Sequence, residues 1–296
     1  MDIDLCLVPW DSARRGDRMG AGPEALLAGG LAERLREDGH RVSITEVEPP
    51  AGARRQEIRT AFDLARALAG RVAAARAAGA FPIVLAGNCN SALGTVAGLG
   101  PEWTGVLWLD AHGDFNTPET TTGGFLDGMA LAALTGRCWT RLANGIPGFA
   151  PVPDADVALV GARDLDPLEA DLLGRSGIAR PAPGAARAEL GAWADALARR
   201  ERRLYVHVDL DVLDPSEGRA NEFAAPGGLP LHDLLSLLTD VAARSPLAGA
   251  ALTAYDPSLD ADGRVREAGV RVARTLAGLA ARGRGGSGAR GAGARD

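Results

Sequence analysis

Residues 105–116 read GVLWLDAHGDFN. An unbroken apolar run ends at Asp110, and His112 and Asp114 follow at spacing two. A run that is apolar at every position, not at alternate ones, is a strand covered on both faces. Six other short runs read as strands, most of them similarly apolar: IDLCLVP (3–9), RVSITEV (41–47), FPIVLAG (81–87), DVALVGA (156–162), RLYVHVDLD (203–211) and GAALTAYD (249–256). Helical patterns separate them, at residues 22–38, 57–79, 166–177, 188–203, 229–245 and about 263–281. Strand–helix alternation of this kind predicts an α/β fold: a doubly wound, mainly parallel β-sheet flanked by helices. No internal repeat is present. One domain is expected over residues 1–281, followed by a low-complexity Gly/Arg-rich end at 282–296 that is expected to be disordered.

Composition narrows the function. Hydrophobic residues make up 46% of the 296 and charged residues 24%, enough to bury a large core and keep a polar surface. The formal net charge of −6 argues against a general nucleic-acid surface, because phosphate binding needs clustered positive charge. There is no lysine, so arginine carries every side-chain positive charge except that of histidine. The three cysteines, Cys6, Cys89 and Cys138, have the spacing of neither a disulfide framework nor a structural zinc site. Cys6 falls inside an apolar run and reads as core; Cys138 has no evident role. No basic segment followed by an apolar stretch opens the chain, and no apolar stretch is long enough to span a bilayer. The expected setting is the cytoplasm. A small-molecule partner is expected, with no nucleic acid and no membrane; monomer and homo-oligomer both remain open.

In parallel sheets, chemistry gathers at the carboxyl ends of the strands. Asp110, His112 and Asp114 share one side of an extended segment and form half of a divalent-metal site. An N-cap aspartate in a polar loop is the weaker reading, since a charge at the end of an apolar run needs a partner. In YVHVDLDVLDP (205–215), His207, Asp209 and Asp211 again share a face. The two aspartates sit in apolar surroundings and need a cation, whereas Asp214 before Pro215 reads as a turn residue. In IVLAGNCNSALG (83–94), Cys89 lies just past an apolar run. Alone it would be inert packing, but beside two acidic strand ends it becomes a candidate ligand.

Here the chain resembles the arginase/agmatinase (ureohydrolase) family. DAHGDFNTPETTTGGFLDGM (110–129) and VDLDVLDP (208–215) match its two aspartate-rich signatures in order. GPEALL (22–27) and RDLDPLE (163–169) match two further motifs, and the likeness runs from about residue 3 to 280. The resemblance implies a metal-dependent amidinohydrolase with two divalent ions, manganese by family habit. Asp110 and Asp209 would bridge the pair, Asp114 would complete the first ion, and His112 with Asp211 the second. The register of the following ALG places Cys89 at a family histidine ligand and Asn88 at a family aspartate. Asn116, Asp166 and Glu169 match positions that grip the α-amino and α-carboxylate groups of an amino acid; Gly123 replaces the usual serine.

Two departures bear on the substrate. Asp127 stands where arginases carry a proton-shuttling histidine, and Ala254 where they carry a guanidinium-binding glutamate. Asp256 is close to the second position but points elsewhere if the strand is regular. Asp127 and His207 are therefore the candidate catalytic groups, with His207 open to three readings: a hydrogen-bonded core histidine, a support of the cluster, or a substitute shuttle. The subgroup of arginase-like Nω-hydroxy-L-arginine amidinohydrolases of D-cycloserine biosynthesis is similar in its cysteine ligand, its missing shuttle and its HxDxD signature. That implies hydrolysis of a C–N bond in a guanidino or ureido amino acid, with Nω-hydroxy-L-arginine giving hydroxyurea and ornithine. Alternatives are a formimino- or guanidino-acid hydrolase, and a catalytically silent relative that binds metal in a regulatory role.

Overall fold

The computed structural model describes residues 1–52, 56–181 and 186–290. In chain order the strands are β1 (Asp2–Val8), β2 (Trp10–Asp11), β3 (Arg14–Arg15), β4 (Arg41–Glu46), β5 (Phe81–Ala86), β6 (Thr104–Leu109), β7 (Val157–Val160), β8 (Arg203–Asp209) and β9 (Leu247–Thr253). The helices are α1 (Gly22–Ala28), α2 (Leu31–Glu37), α3 (Glu57–Ala77), α4 (Ala92–Leu99), α5 (Ala130–Leu134), α6 (Thr140–Ala143), α7 (Pro167–Gly174), α8 (Ala186–Arg199), α9 (Leu231–Ala242) and α10 (Arg264–Arg290).

Each of the seven runs is a strand of one sheet, ordered β4-β1-β5-β9-β8-β6-β7, and every pairing is parallel. The doubly wound parallel sheet expected from the alternation is the one observed. β2 and β3 form a separate two-stranded hairpin. Side chains alternate between two cores. One holds Leu5, Ile83, Leu107, Val206 and Leu252 against α1, α2, α8, α9 and α10. The other holds Val84, Trp108, Tyr205 and Ala251 against α3, α4 and α5. Both faces of the sheet are thus covered except at the edge strand β4, which is largely exposed and alternates polar and apolar residues, whereas the other six strands are buried almost throughout.

Two boundaries differ from expectation. The pattern at 22–38 is two helices, because Gly30 adopts φ +83°, a left-handed conformation that glycine enters without strain. The helix expected to end at 281 continues to Arg290, while the remainder of the low-complexity end, 291–296, lies outside the described residues. Among the described residues no helix is long and apolar enough to cross a membrane.

The strand order fixes where chemistry collects. β5, β9, β8 and β6 are adjacent in the sheet, and their carboxyl ends deliver Cys89, Thr253, Asp209 and Asp110 to one edge. Cys89 opens a single 3-10 turn that leads into α4. α4 is held very close to α3: a Cβ on Gly94 would lie 2.4 Å from the Ala65 carbonyl oxygen. That contact sets the depth at which the Cys89 turn sits.

Candidate metal centre

Two donor sets meet at this edge. Cys89, Asp110 and Asp209 form one and Asp110, His112 and Asp211 the other, with ligand atoms within 4.8 Å of one another in each. Asp110 is common to both. Its Oδ2 accepts the Trp108 indole N–H at 3.0 Å and its Oδ1 the His112 backbone N–H at 2.8 Å. Asp209 Oδ1 accepts the Asp211 N–H at 2.8 Å, and Asp211 Oδ1 accepts the Ala111 N–H at 3.1 Å. The Cys89 sulfur lies 3.1 Å from Asp209 Oδ2 and 3.1 Å from Thr253 Oγ1.

Electrostatics show what this cluster lacks. Burial, then the charges of Asp211 and Asp110, push the Asp209 carboxyl well above the usual range. Asp114 is raised in the same way by burial and by Asp110. Burial, followed by the Asp209 charge, pushes the Cys89 thiol up. His112 is the compensating cation. Burial opposes its charge, but Nδ1 lies 3.3 Å from Asp110 and 3.4 Å from Asp211, and these raise the ring to about 11. Asp211 moves the other way, to about 2: burial is outweighed by His112 and by the Asn221 amide at 3.0 Å. Buried like charges of this density need a divalent cation. Asp114 Oδ2 adds to the case, being buried without a hydrogen-bond partner. The donors present fit two metals.

Five of the six expected ligands fall into the two sets. Asp114 joins neither at that distance. It sits next to them at φ +47°, a strained conformation in which aspartate is among the more tolerant residues. Asp209, expected to bridge, belongs only to the first set. The cluster opens into a cavity of about 320 Å³ lined by His112, Asp114, Asn116, Asp127, Asp166, Phe125 and Phe223, among others. Ala254 lines the same cavity, and Asp256 does not. Strand β9 ends at Thr253 and Ala254 is left-handed, so the regular strand assumed for Asp256 is absent; Asp256 instead caps the following turn through Ser258.

The two candidate catalytic groups sit at different depths. Asp127 lines the cavity, but its carboxylate serves the Cys89 turn: Oδ1 accepts the Asn90 backbone N–H at 2.9 Å and Oδ2 the Asn88 amide at 3.0 Å. Burial nevertheless raises it to about 7. His207 does not reach the cavity. It shares a face with Asp209, but two residues of strand, about 7 Å, set it deeper in the sheet. It is fully buried, stacked on Trp108 at 3.7 Å between centroids, and burial pushes its ring down to about 3.

The substrate-binding candidates come together at the rim. Asn116 Nδ2 donates to Asp166 Oδ2 at 3.0 Å, and Thr122 Oγ1 donates to Asp166 as well. Glu169 is spent locally: Oε1 accepts the Phe115 N–H at 2.8 Å, and Oε2 accepts the Asp166 N–H in a capping box at the start of α7. Asp166 and Glu169 both line the cavity, and Glu169 also anchors the loop that carries Asp114.

Several supports were not legible in the sequence. Asn221 Nδ2 donates to Asp211 Oδ2 and to the Ala254 carbonyl, which fixes Ala254 at φ +59°. Arg163 donates to the carbonyls of Gly161, Asp211 and Ala225 and ties the loop after β8 to that after β7. A lone asparagine has no motif. The arginine of RDLDP did have one, and its role as a carbonyl clamp appears only in three dimensions.

The arginase family model matches residues 1–278. The chain is 31% identical over 279 residues to Arginase-1 of Homo sapiens, covering 87% of this chain and 85% of that one. It is 30% identical over 298 residues to the arginase of Bacillus caldovelox, covering 93% and 98%. The native structure of the Bacillus caldovelox arginase superposes with a TM-score of 0.84 at 27% identity, over 93% of this chain and 97% of that one.

Proposed function

The chain belongs to the arginase family, and from that premise we propose that it is a single-domain, two-metal hydrolase of a guanidino-type C–N bond. The observation that carries this reading is the pair of donor sets joined through buried Asp110, with Cys89, His112, Asp209 and Asp211 lining the cavity. Cys89, Asp110, Asp114 and Asp209 would hold one ion, and Asp110, His112, Asp209 and Asp211 the other. When bound, two divalent ions, manganese by family resemblance, supply a water acidic enough to act as a nucleophile near neutral pH. The chain's own work is to bind and orient. Trp108, Asn221 and the backbone N–H groups of Ala111, His112 and Asp211 fix the carboxylates before any ion arrives. Asp127 fixes the Cys89 turn. At the rim, Asp166 with Asn116 and Thr122 offers an acceptor for an α-amino group.

The substrate is an amino acid with a modified guanidino or ureido end, Nω-hydroxy-L-arginine first, and plain arginine is a poor one. Arginine's guanidinium stays charged up to a pKa above about 12, and Ala254 offers it no carboxylate. A less basic N-hydroxyguanidine needs no such partner. The leaving group is the δ-amine of ornithine in either case, and neither Asp127, engaged in holding the Cys89 turn, nor buried His207, which does not reach the cavity, replaces the missing carboxylate. The closeness to hydroxyarginine hydrolases of D-cycloserine biosynthesis is proposed on the same grounds.

The test compares turnover of arginine and Nω-hydroxyarginine under identical manganese loading, with urea and hydroxyurea read by mass spectrometry. Preference for the hydroxylated compound is expected. Equal rates would defeat the substrate assignment. No release from either, nor from agmatine, guanidino acids or formimino compounds, would defeat the hydrolase reading.

A further inference from the structure

Behind the metal cluster lies a buried chain of polar groups for which neither catalysis nor the fold supplies an evident use. The Tyr205 hydroxyl lies 2.9 Å from His207 Nδ1. His207 Nε2 lies 3.3 Å from Thr253 Oγ1, and Thr253 Oγ1 lies 3.1 Å from the Cys89 sulfur. None of the four side chains is more than 2% exposed. Strand register builds the chain: His207 pairs with Ala251 and Asp209 with Thr253, so Thr253 sits one pleat beyond His207 on the same face.

We propose that Thr253 is a positioning residue which, oriented by His207 and Tyr205, donates a hydrogen bond to the Cys89 sulfur and tunes it as a metal ligand. The inference rests on Cys89 being a ligand, as argued above. A coordinating cysteine is a thiolate and holds no proton, so it only accepts. The Thr253 hydroxyl has two acceptors, the Val208 carbonyl at 3.4 Å and the sulfur at 3.1 Å, and the nearer, negatively charged sulfur takes its proton. The Thr253 oxygen, its own proton committed to sulfur, faces His207 Nε2 with a lone pair, so Nε2 carries the ring proton. The Tyr205 hydroxyl, 2.9 Å from Nδ1, is placed to donate to that nitrogen. The polarity of the whole chain follows from the sulfur: Tyr205 O–H to Nδ1, Nε2–H to Thr253 oxygen, Thr253 O–H to sulfur. Such a chain withdraws electron density from the thiolate. It lets a soft, negative ligand occupy a site otherwise built from oxygens and one imidazole. Stacking on Trp108, whose own N–H holds Asp110, keeps the histidine ring in the required plane.

Cobalt(II) serves as probe, because a thiolate ligand gives a sulfur-to-cobalt charge-transfer band. Wild type, Thr253→Val and Thr253→Ser are compared in that band. Removing the hydrogen bond makes the sulfur a stronger donor, so Thr253→Val is expected to move the band to lower energy and Thr253→Ser to restore it. A wild-type complex without the band would overturn the ligand reading and the inference with it. A band present in wild type and unmoved in Thr253→Val would overturn the inference alone. A second readout needs no variant. In zinc-loaded wild-type protein, 15N resonances of His207 are expected to show the Nε2–H tautomer, and the Nδ1–H tautomer would overturn the proposal.

Discussion

The Asp127 carboxylate accepts the Asn90 backbone N–H at 2.9 Å and so ties the loop after the first aspartate signature to the turn that carries Cys89. The same carboxylate takes the Asn88 amide, whose own oxygen accepts the Ser12 N–H. The turn is thereby braced on both sides of its cysteine. Groups that orient metal ligands cost about 10–100-fold in affinity when removed. Asp127→Ala is expected to weaken metal binding within that range, read by competition with a chelator. Asp127→Asn, which keeps an oxygen for Asn90, should lose less. Unchanged affinity in Asp127→Ala would refute the bracing role.

The two donor sets share Asp110 but not Cys89. Metal content should divide along that line. Cys89→Ala is expected to retain one ion per chain of the two, and Asp110→Ala to retain neither, by elemental analysis after desalting. Two ions in Cys89→Ala would remove the sulfur from the site.

A further prediction concerns the packing behind the turn. A Cβ on Gly94 would meet the Ala65 carbonyl at 2.4 Å, a backbone atom that has no rotamer to change. Overpacking costs about 1–3 kcal/mol, which exceeds the helix preference of alanine over glycine of about 1 kcal/mol. Gly94→Ala should therefore destabilise, by up to about 2 kcal/mol. Gly70, exposed in α3 with nothing near its virtual Cβ, should gain stability on the same change. Denaturant midpoints of the two variants should move in opposite directions.

What was legible in the sequence is local. Six of the seven strands were legible because burial on both faces leaves a continuous apolar signal, and the exposed edge strand β4 because its apolar residues alternate. Asp110, His112, Asp209 and Asp211 were legible because each pair closes an apolar strand run, although the chain bends after Leu109 and turns at Leu210–Val212 and does not stay extended. The supports are not local. Asn90 meets Asp127 across 37 residues, Ala111 meets Asp211 across 100, and Cys89 meets Thr253 across 164. No spacing rule reaches that far. His207 shows the limit of face alone: periodicity gave its side of the sheet correctly but not its depth, and depth decides that it packs on Trp108 and does not line the cavity.

His207 also gives the fold an acid sensitivity that can be isolated. Its unfolded pKa is about 6.5, while burial, with no carboxylate in contact, pushes the folded ring down to about 3. As pH falls below 6.5 the unfolded chain takes up a proton that the folded chain refuses. The stability associated with the neutral ring is therefore complete above about 6.5 and is lost progressively as pH drops toward 3. Between pH 7 and 5 the linkage amounts to about 2 kcal/mol. The buried carboxylates Asp114 and Asp209 work in the opposite sense, because their folded values are raised and acid favours them. The difference between two proteins separates the contributions. Chelated wild type and chelated His207→Asn are unfolded in urea at pH 7 and at pH 5. His207→Asn loses the Trp108 stack and should be less stable at pH 7, yet the gap should narrow by about 2 kcal/mol at pH 5. A gap that stays constant between the two pH values would mean that the ring is protonated in the folded protein, and the buried neutral histidine would have to be abandoned.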